Sequence, residues 1–280
     1  MILTIEELQK FLKDNTDIAY CEILKNLGSS PREKGAWMLI SKQGKIFGTI
    51  GGGQLEYNLI QSVMRQDWKV DFNFELETTL GPDIAQCCGG KVIISILKMN
   101  YTFSKHLLEK FKKDISKLTQ VLIFGAGNVG TSLALQMYNL PFKIKLIDNR
   151  ENFISRLKIP IEKKFSLIPE QEVREANAYS CYIITTHDHG LDFLLCYEIL
   201  KRQDASYIGM IGSKTKRGTL KNWLIKRGIN DISNVNIPIG KSLIDTYDKR
   251  PEIISAHIIS EILSIMEKNR LDKDKIRQIT

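Results

Sequence analysis

The sequence predicts an α/β protein: a C-terminal Rossmann-like domain on a parallel sheet, preceded by a smaller mixed α/β domain. Three observations predict it. From Val121 onward short apolar runs alternate with helical patterns, the arrangement of a parallel sheet covered by helices. Gly125-Ala126-Gly127-Asn128-Val129-Gly130 puts a GxGxxG at the first strand-to-helix step. Before Lys98 the pattern is instead one of short strands and helices punctuated by glycine and proline. The 280 residues fit two ordinary domains, and the basic, polar stretch from Lys98 to Thr119 is the expected joint, giving domains at 1–110 and 119–267.

Thr4 and Glu7 fit a capping box, and Ile5, Leu8, Phe11 and Leu12 repeat at helical spacing, predicting a helix that ends near Asn15. A second helix is expected over Ile18–Leu27. Ser29-Ser30-Pro31 breaks the chain, and two short strands follow at Ala36–Ser41 and Lys45–Thr49, hinged at Gly44. Gly51-Gly52-Gly53 is a turn opening a helix with Leu55, Leu59, Ile60 and Val63 on one face. Phe72–Thr79 alternates as a strand, Val92–Leu97 is an apolar strand, and a helix lies around Ser104–Ile115.

In the second half Val121–Phe124, Phe142–Ile147, Tyr182–Thr185 and Tyr207–Met210 read as strands. Asn128–Tyr138, Leu191–Lys201 and Lys216–Arg227 read as helices. A final helix over Pro251–Glu267 starts with a proline at a tolerated position.

Composition bounds the function. Hydrophobic residues at 43% suffice for a core. Forty Lys and Arg against 32 Asp and Glu give a charge of +8, which favours anionic partners without choosing among phosphorylated small molecules, nucleic acid or an acidic protein face. No run of 18 apolar residues predicts a membrane span, and the first residues lack the pattern of a secretion signal. Five cysteines without zinc-knuckle or CxxC spacing fit a reduced, cytoplasmic protein.

The GxGxxG gains weight from the strand before it and the helix after it. Gly125 permits a tight turn, Gly127 lets backbone approach a phosphate, and Gly130 allows close helix–strand packing. Exposed amides at the helix start attract phosphate oxygens. Asp148, 18 residues after Gly130, stands where a ribose-binding carboxylate is expected, and Arg150 is near enough to contact phosphate instead. The alternative is that the glycines serve only the sheet and Asp148 caps a loop.

Thr185-Thr186-His187-Asp188-His189 falls at a strand's carboxyl end, where such sheets place ligands. His187 and His189 suit a metal, a proton relay or a hydrogen bond to a heterocycle, or belong to a structural loop. Asp188 either orients a histidine or caps the next helix. Lys214, Lys216 and Arg217 after Gly212 supply positive charge or form a solvated face. Near the start, Gly51-Gly52-Gly53 can bind an anion, with Glu56 reaching a ring donor or a lysine, or simply lying by the positive end of its helix.

Gln86-Cys87-Cys88-Gly89-Gly90 sets adjacent thiols among glycines that leave room for something large. Thiolates suit a soft metal or sulfur transfer. Inert buried cysteine is the alternative, and a cysteine hydrolase needs His187 or His189 brought from the other half.

Taken together these motifs resemble the XdhC family, the xanthine dehydrogenase accessory proteins. The resemblance runs in order through Pro31–Ala36, Gly48–Glu56, Gln86–Gly90, Gly125–Gly130, Ile147–Arg150, Thr186–His189, Tyr207–Lys216, Ile237–Gly240 and Pro251-Glu252-Ile253. Lys241–Asp245 departs from the more acidic, glycine-containing run usual there.

The resemblance implies an N-terminal XdhC/CoxI-type domain and a non-catalytic chaperone. Such a protein binds molybdenum cofactor in its molybdopterin form, shields it while a cysteine desulfurase installs the terminal sulfur, and delivers it to xanthine dehydrogenase or a related molybdenum hydroxylase. It also implies that Cys87 and Cys88, with Cys88 preferred, meet the metal. Gly51, Gly52, Gly53, Glu56, Gly125, Gly127, Gly130, Asp148, His187 and His189 are the other expected cofactor contacts. A homodimer closing the site is a further expectation; nucleic acid and membrane are not expected partners. The rival is an NAD(P)-dependent oxidoreductase using the Rossmann-like domain.

Overall fold

Ile18–Leu27, expected as a helix, is instead the central strand of the N-terminal sheet. Both of its faces are covered. Ala19, Cys21 and Ile23 pack in one buried cluster with Leu55, Leu59 and Val63, while Ile18 and Tyr20 join another with Leu8 and Leu107. A strand buried on both faces loses the alternation that marks a half-exposed one, and its run of apolar residues then imitates a helix.

The computed structural model describes residues 4–80, 90–241 and 248–279. The chain divides into two compact units, Leu3–Ser116 and Lys117–Thr280. In the first, the elements run α1 (Ile5–Asp14), β1 (Ile18–Leu27), β2 (Trp37–Ser41), β3 (Ile46–Gly48), α2 (Gly53–Met64), β4 (Asn73–Thr79), β5 (Lys91–Lys98) and α3 (Tyr101–Ser116). The five strands form an antiparallel sheet in the order β3-β2-β1-β5-β4. The Thr4–Glu7 capping box forms: Glu7 N donates to Thr4 Oγ1 at 3.1 Å, and Thr4 N donates to Glu7 Oε2 at 2.9 Å.

The second unit comprises β6 (Thr119–Phe124), α4 (Asn128–Met137), β7 (Phe142–Asp148), α5 (Glu151–Arg156), β8 (Glu162–Phe165), α6 (Pro169–Arg174), β9 (Cys181–Ile184), α7 (His189–Arg202), β10 (Tyr207–Met210), α8 (Lys214–Ile225), β11 (Val235–Asn236) and α9 (Pro251–Ile279). Its six strands are parallel, in the order β11-β10-β9-β6-β7-β8. Numbered within the unit, that is the 3-2-1-4-5-6 order of the Rossmann fold, read from the other edge. The α/β class expected from the sequence is the one observed, with a parallel Rossmann-like sheet after an antiparallel mixed α/β unit.

Alternate residues of β6 supply the two cores. Val121 and Ile123 pack with Leu133 and Met137 of α4 and Ile258 and Ile262 of α9; Leu122 and Phe124 pack with Leu195 and Ile199 of α7 and Leu220 and Leu224 of α8. Strand order reverses between β6 and β9, so the crevice at their carboxyl ends is the topological switch point where ligands bind in such folds. No helix among the described residues is long and apolar enough to cross a membrane.

Candidate functional site

Three glycines shape the switch point, and they do different work. Gly125 leaves β6 at a φ of +107°, and a Cβ there would lie 2.4 Å from the Thr185 carbonyl oxygen of the neighbouring strand end. A Cβ on Gly130 would lie 1.8 Å from the Gly125 carbonyl oxygen. Both positions are closed by packing. Gly127 is the N-cap of α4, no side chain caps that helix start, and a Cβ there would meet nothing within 4 Å. Its backbone faces open ground, where the positive end of a helix favours an anion.

Asp148, at the end of β7, is drawn into the turn. Its Oδ2 accepts from Ala126 N at 2.6 Å and from Arg150 Nη2 at 2.8 Å; its Oδ1 accepts from Arg150 N and Nε at 2.8 and 2.9 Å. Burial alone would push its carboxyl up, but the Arg150 guanidinium and the amides of Ala126 and Arg150 outweigh that and hold it below the usual carboxylate range. Arg150 also lies over the Phe153 ring, 4.0 Å from its centroid.

From β9, Thr185 Oγ1 donates to the carbonyls of Phe124 and Gly125 at 3.0 and 3.2 Å, stitching the two strand ends together. Thr186 Oγ1 donates to Asp192 Oδ1 at 2.6 Å. Asp192 is fully buried and paired with Lys216, whose Nζ also reaches the Ile211 carbonyl at 3.0 Å. Asp188 takes the capping role: its Oδ1 accepts from Gly190 N at 2.7 Å and Leu191 N at 3.3 Å at the start of α7. A narrow crevice with room for about 10 Å³ is lined by Gly125, Asp148, Asn149, Thr186 and His187, among others. That is about the space of one water molecule, so the crevice is a notch at the strand ends and not a formed ligand pocket. His187 belongs to its wall; His189, the exposed first residue of α7, does not.

Among the basic residues after Gly212, Lys216 and Arg217 turn inward. Arg217 donates to the Ile232 carbonyl at 3.1 Å and to that of Val235. Sequence reasoning missed Asp192: an acid in a first helical turn reads as a dipole partner, and nothing in its spacing announces a buried lysine.

In the N-terminal unit Gly51, Gly52 and Gly53 all have positive φ, at 132°, 77° and 62°. Glu56 folds back over them. Its Oε1 accepts from the amides of Ile50, Gly51 and Gly52 at 2.9, 3.2 and 2.9 Å and from Thr49 Oγ1 at 2.5 Å. Burial pushes its carboxyl up, but the Thr49 hydroxyl and these amides prevail, so Glu56 titrates below the ordinary glutamate.

Cys87 and Cys88 lie outside the described residues. Cys21, Cys181 and Cys196 are free, buried thiols; burial pushes Cys21 strongly upward and Cys181 and Cys196 up to about 12, which leaves all three unreactive. Among the described residues no three His, Cys, Asp or Glu side chains are grouped to hold a metal ion.

Known proteins match both units. Residues 121–262 match the XdhC Rossmann domain, and residues 11–66 match the XdhC and CoxI family. The uncharacterized Escherichia coli protein YqeB is 24% identical over 271 residues, covering 92% of this chain and 45% of its own length. The chain thus spans about half the length of that relative. A Bacillus halodurans protein whose crystal structure is described as a xanthine dehydrogenase has the same fold, with a TM-score of 0.78 at 20% identity over 94% of this chain and 96% of that one. With the Rossmann model alone matching half of its residues, the chain belongs to the XdhC family.

Proposed function

We propose that this chain is a carrier of molybdenum cofactor and not an enzyme in its own right. It binds the molybdopterin form in a reducing cytoplasm, shields it while a cysteine desulfurase installs the terminal sulfur, and hands it to xanthine dehydrogenase or a related molybdenum hydroxylase. The observation that carries this reading is membership of the XdhC family, with matches on both units of the chain. The description of the Bacillus halodurans relative as a xanthine dehydrogenase associates the same fold with that enzyme.

The residues present fit such a cargo. Open ground over Gly127, at an uncapped helix start, suits the phosphate of molybdopterin, with Gly125 and Gly130 shaping the turn. Thr186, His187, Asp148 and Asn149 give the cleft a polar wall; His189 is assigned a contact further out. Gly51, Gly52, Gly53 and Glu56 are assigned to the cargo from the family resemblance alone, since Glu56 already occupies the amides of Gly51 and Gly52. Cys87 and Cys88 are assigned the metal end, because a thiolate is the soft donor it requires.

The test is the molybdenum and pterin content of protein purified from cofactor-producing cells. The parent protein should carry both, and a C87S/C88S variant that remains folded by circular dichroism should lose most of the molybdenum. A parent protein that retains neither, or that binds NAD tightly and transfers hydride, would overturn the proposal.

A further inference from the structure

A dinucleotide-binding Rossmann fold offers the acid after its second strand to the hydroxyls of a ribose. Asp148 holds that place in this sheet, yet its side chain is only 2% exposed. Each of its oxygens already accepts two hydrogen bonds, from Arg150 N and Nε on Oδ1 and from Ala126 N and Arg150 Nη2 on Oδ2. An ionised carboxylate has about four lone-pair directions, and all are taken. A ribose hydroxyl arriving here would find no acceptor, and freeing one would break a bidentate, charge-assisted pair, among the stronger contacts a protein makes. The Arg150 side chain, 28% exposed, keeps its positive charge within reach of solvent beside the loop.

We propose that Asp148 is a positioning residue that ties the glycine loop to Arg150. The crevice therefore rejects ligands recognised through a vicinal diol and accepts those presenting an anionic group to Arg150. The anionic ligand class rests on the carrier reading above; rejection of the diol stands on the hydrogen-bond geometry.

Two measurements test it. The first is calorimetric titration of the full chain with NAD and with the analogue lacking the adenosine 2′-hydroxyl. The parent protein should treat the two alike, within about twofold, or bind neither. Arg150→Ala uncovers the carboxylate and should prefer NAD by roughly tenfold or more, the scale of a hydrogen bond to a charged group. Adding Asp148→Ala, which leaves no acceptor, should erase that preference. A parent protein that already prefers NAD tenfold, or an R150A variant that folds and shows no preference, overturns the proposal; Arg150→Met replaces R150A if the latter does not fold.

The second is hydrogen exchange at the Ala126 amide, which needs no ligand. Asp148→Ala, which removes the acceptor, should speed it at least tenfold; unchanged exchange would mean that the carboxylate does not hold the loop. Neither measurement involves molybdenum, so a failure here leaves the carrier reading standing, and a cofactor-free protein leaves this inference standing.

Discussion

The two units each contain a glycine-rich turn that opens a helix, and the two turns are in opposite states. At Gly51–Gly53 a single oxygen of Glu56 accepts three consecutive backbone amides and the Thr49 hydroxyl. The concavity that would attract an anion is filled by the protein's own carboxylate. At Gly125–Gly130 the carboxylate of Asp148 takes one amide of the turn, that of Ala126, and directs its remaining acceptor capacity to the backbone and side chain of Arg150. The start of α4 has no side-chain cap. A glycine run before a helix therefore does not by itself mark a ligand site. What decides is whether an acid within the first helical turn folds back onto the amides, as Glu56 does, or stands on another strand and leaves the helix start open, as Asp148 does.

The largest expected effect breaks the open turn. Gly130→Ala sets a methyl 1.8 Å from the Gly125 carbonyl oxygen, a backbone atom fixed between two strand ends. Overpacking usually costs about 1–3 kcal/mol, and an overlap this deep against backbone should cost about 3 kcal/mol or more. Chemical denaturation of the two proteins measures it. A variant within about 1 kcal/mol of the parent would mean that α4 can slide away from β6, and that the turn is not the rigid frame described above.

A middle-sized effect belongs to the filled turn. Glu56→Gln keeps an acceptor oxygen but removes the charge, and should cost about 1–2 kcal/mol at pH 7. The folded Glu56 titrates below its unfolded value of about 4.3, held there by the Thr49 hydroxyl and the amides against the opposing effect of burial. Its contribution is therefore complete above about pH 4.3 and disappears as pH falls through the lower folded value. Melting curves of parent and E56Q should be separated at neutral pH and converge in acid. A gap that persists unchanged to pH 3 would show that charge is not what fills the turn.

Much of this architecture was legible in the residues. The GxGxxG, the alternation after Val121 and the capping box at Thr4–Glu7 each express a local rule, and each appears where the rule puts it. The failures have physical causes. Ile18–Leu27 hid its period because both faces are buried. β8 is exposed at all four positions and so shows no apolar signal, while α5 and α6 are six residues each, too short for a helical repeat. At the site, the sequence put Asp148 and Arg150 two residues apart but not the bidentate pairing that turns the acid inward. Asp192 and Lys216 meet only because α7 and α8 pack beside one another over the same sheet.

The smallest expected effect on stability sharpens the comparison most. Gly127 has φ −74° and ψ −172°, a backbone conformation that any residue adopts, and a methyl added there meets nothing within 4 Å. Gly127→Ala should therefore cost no more than about 1 kcal/mol, the amount by which alanine is the poorer N-cap. The methyl would nevertheless stand on the ground left open at the head of α4, where backbone amides face outward. If the phosphate of a carried ligand rests there, the variant should stay folded, with a melting temperature lowered by a few degrees at most, and lose ligand, read as pterin recovered per folded protein. The matching change in the filled turn is not available, because Gly51, Gly52 and Gly53 all sit at positive φ and alanine there strains the backbone before any ligand is considered. Gly127 is thus the position at which binding separates cleanly from folding. If Gly127→Ala retains as much pterin as the parent, the open turn is not the phosphate seat, and the cargo is held by surfaces other than the Rossmann crevice.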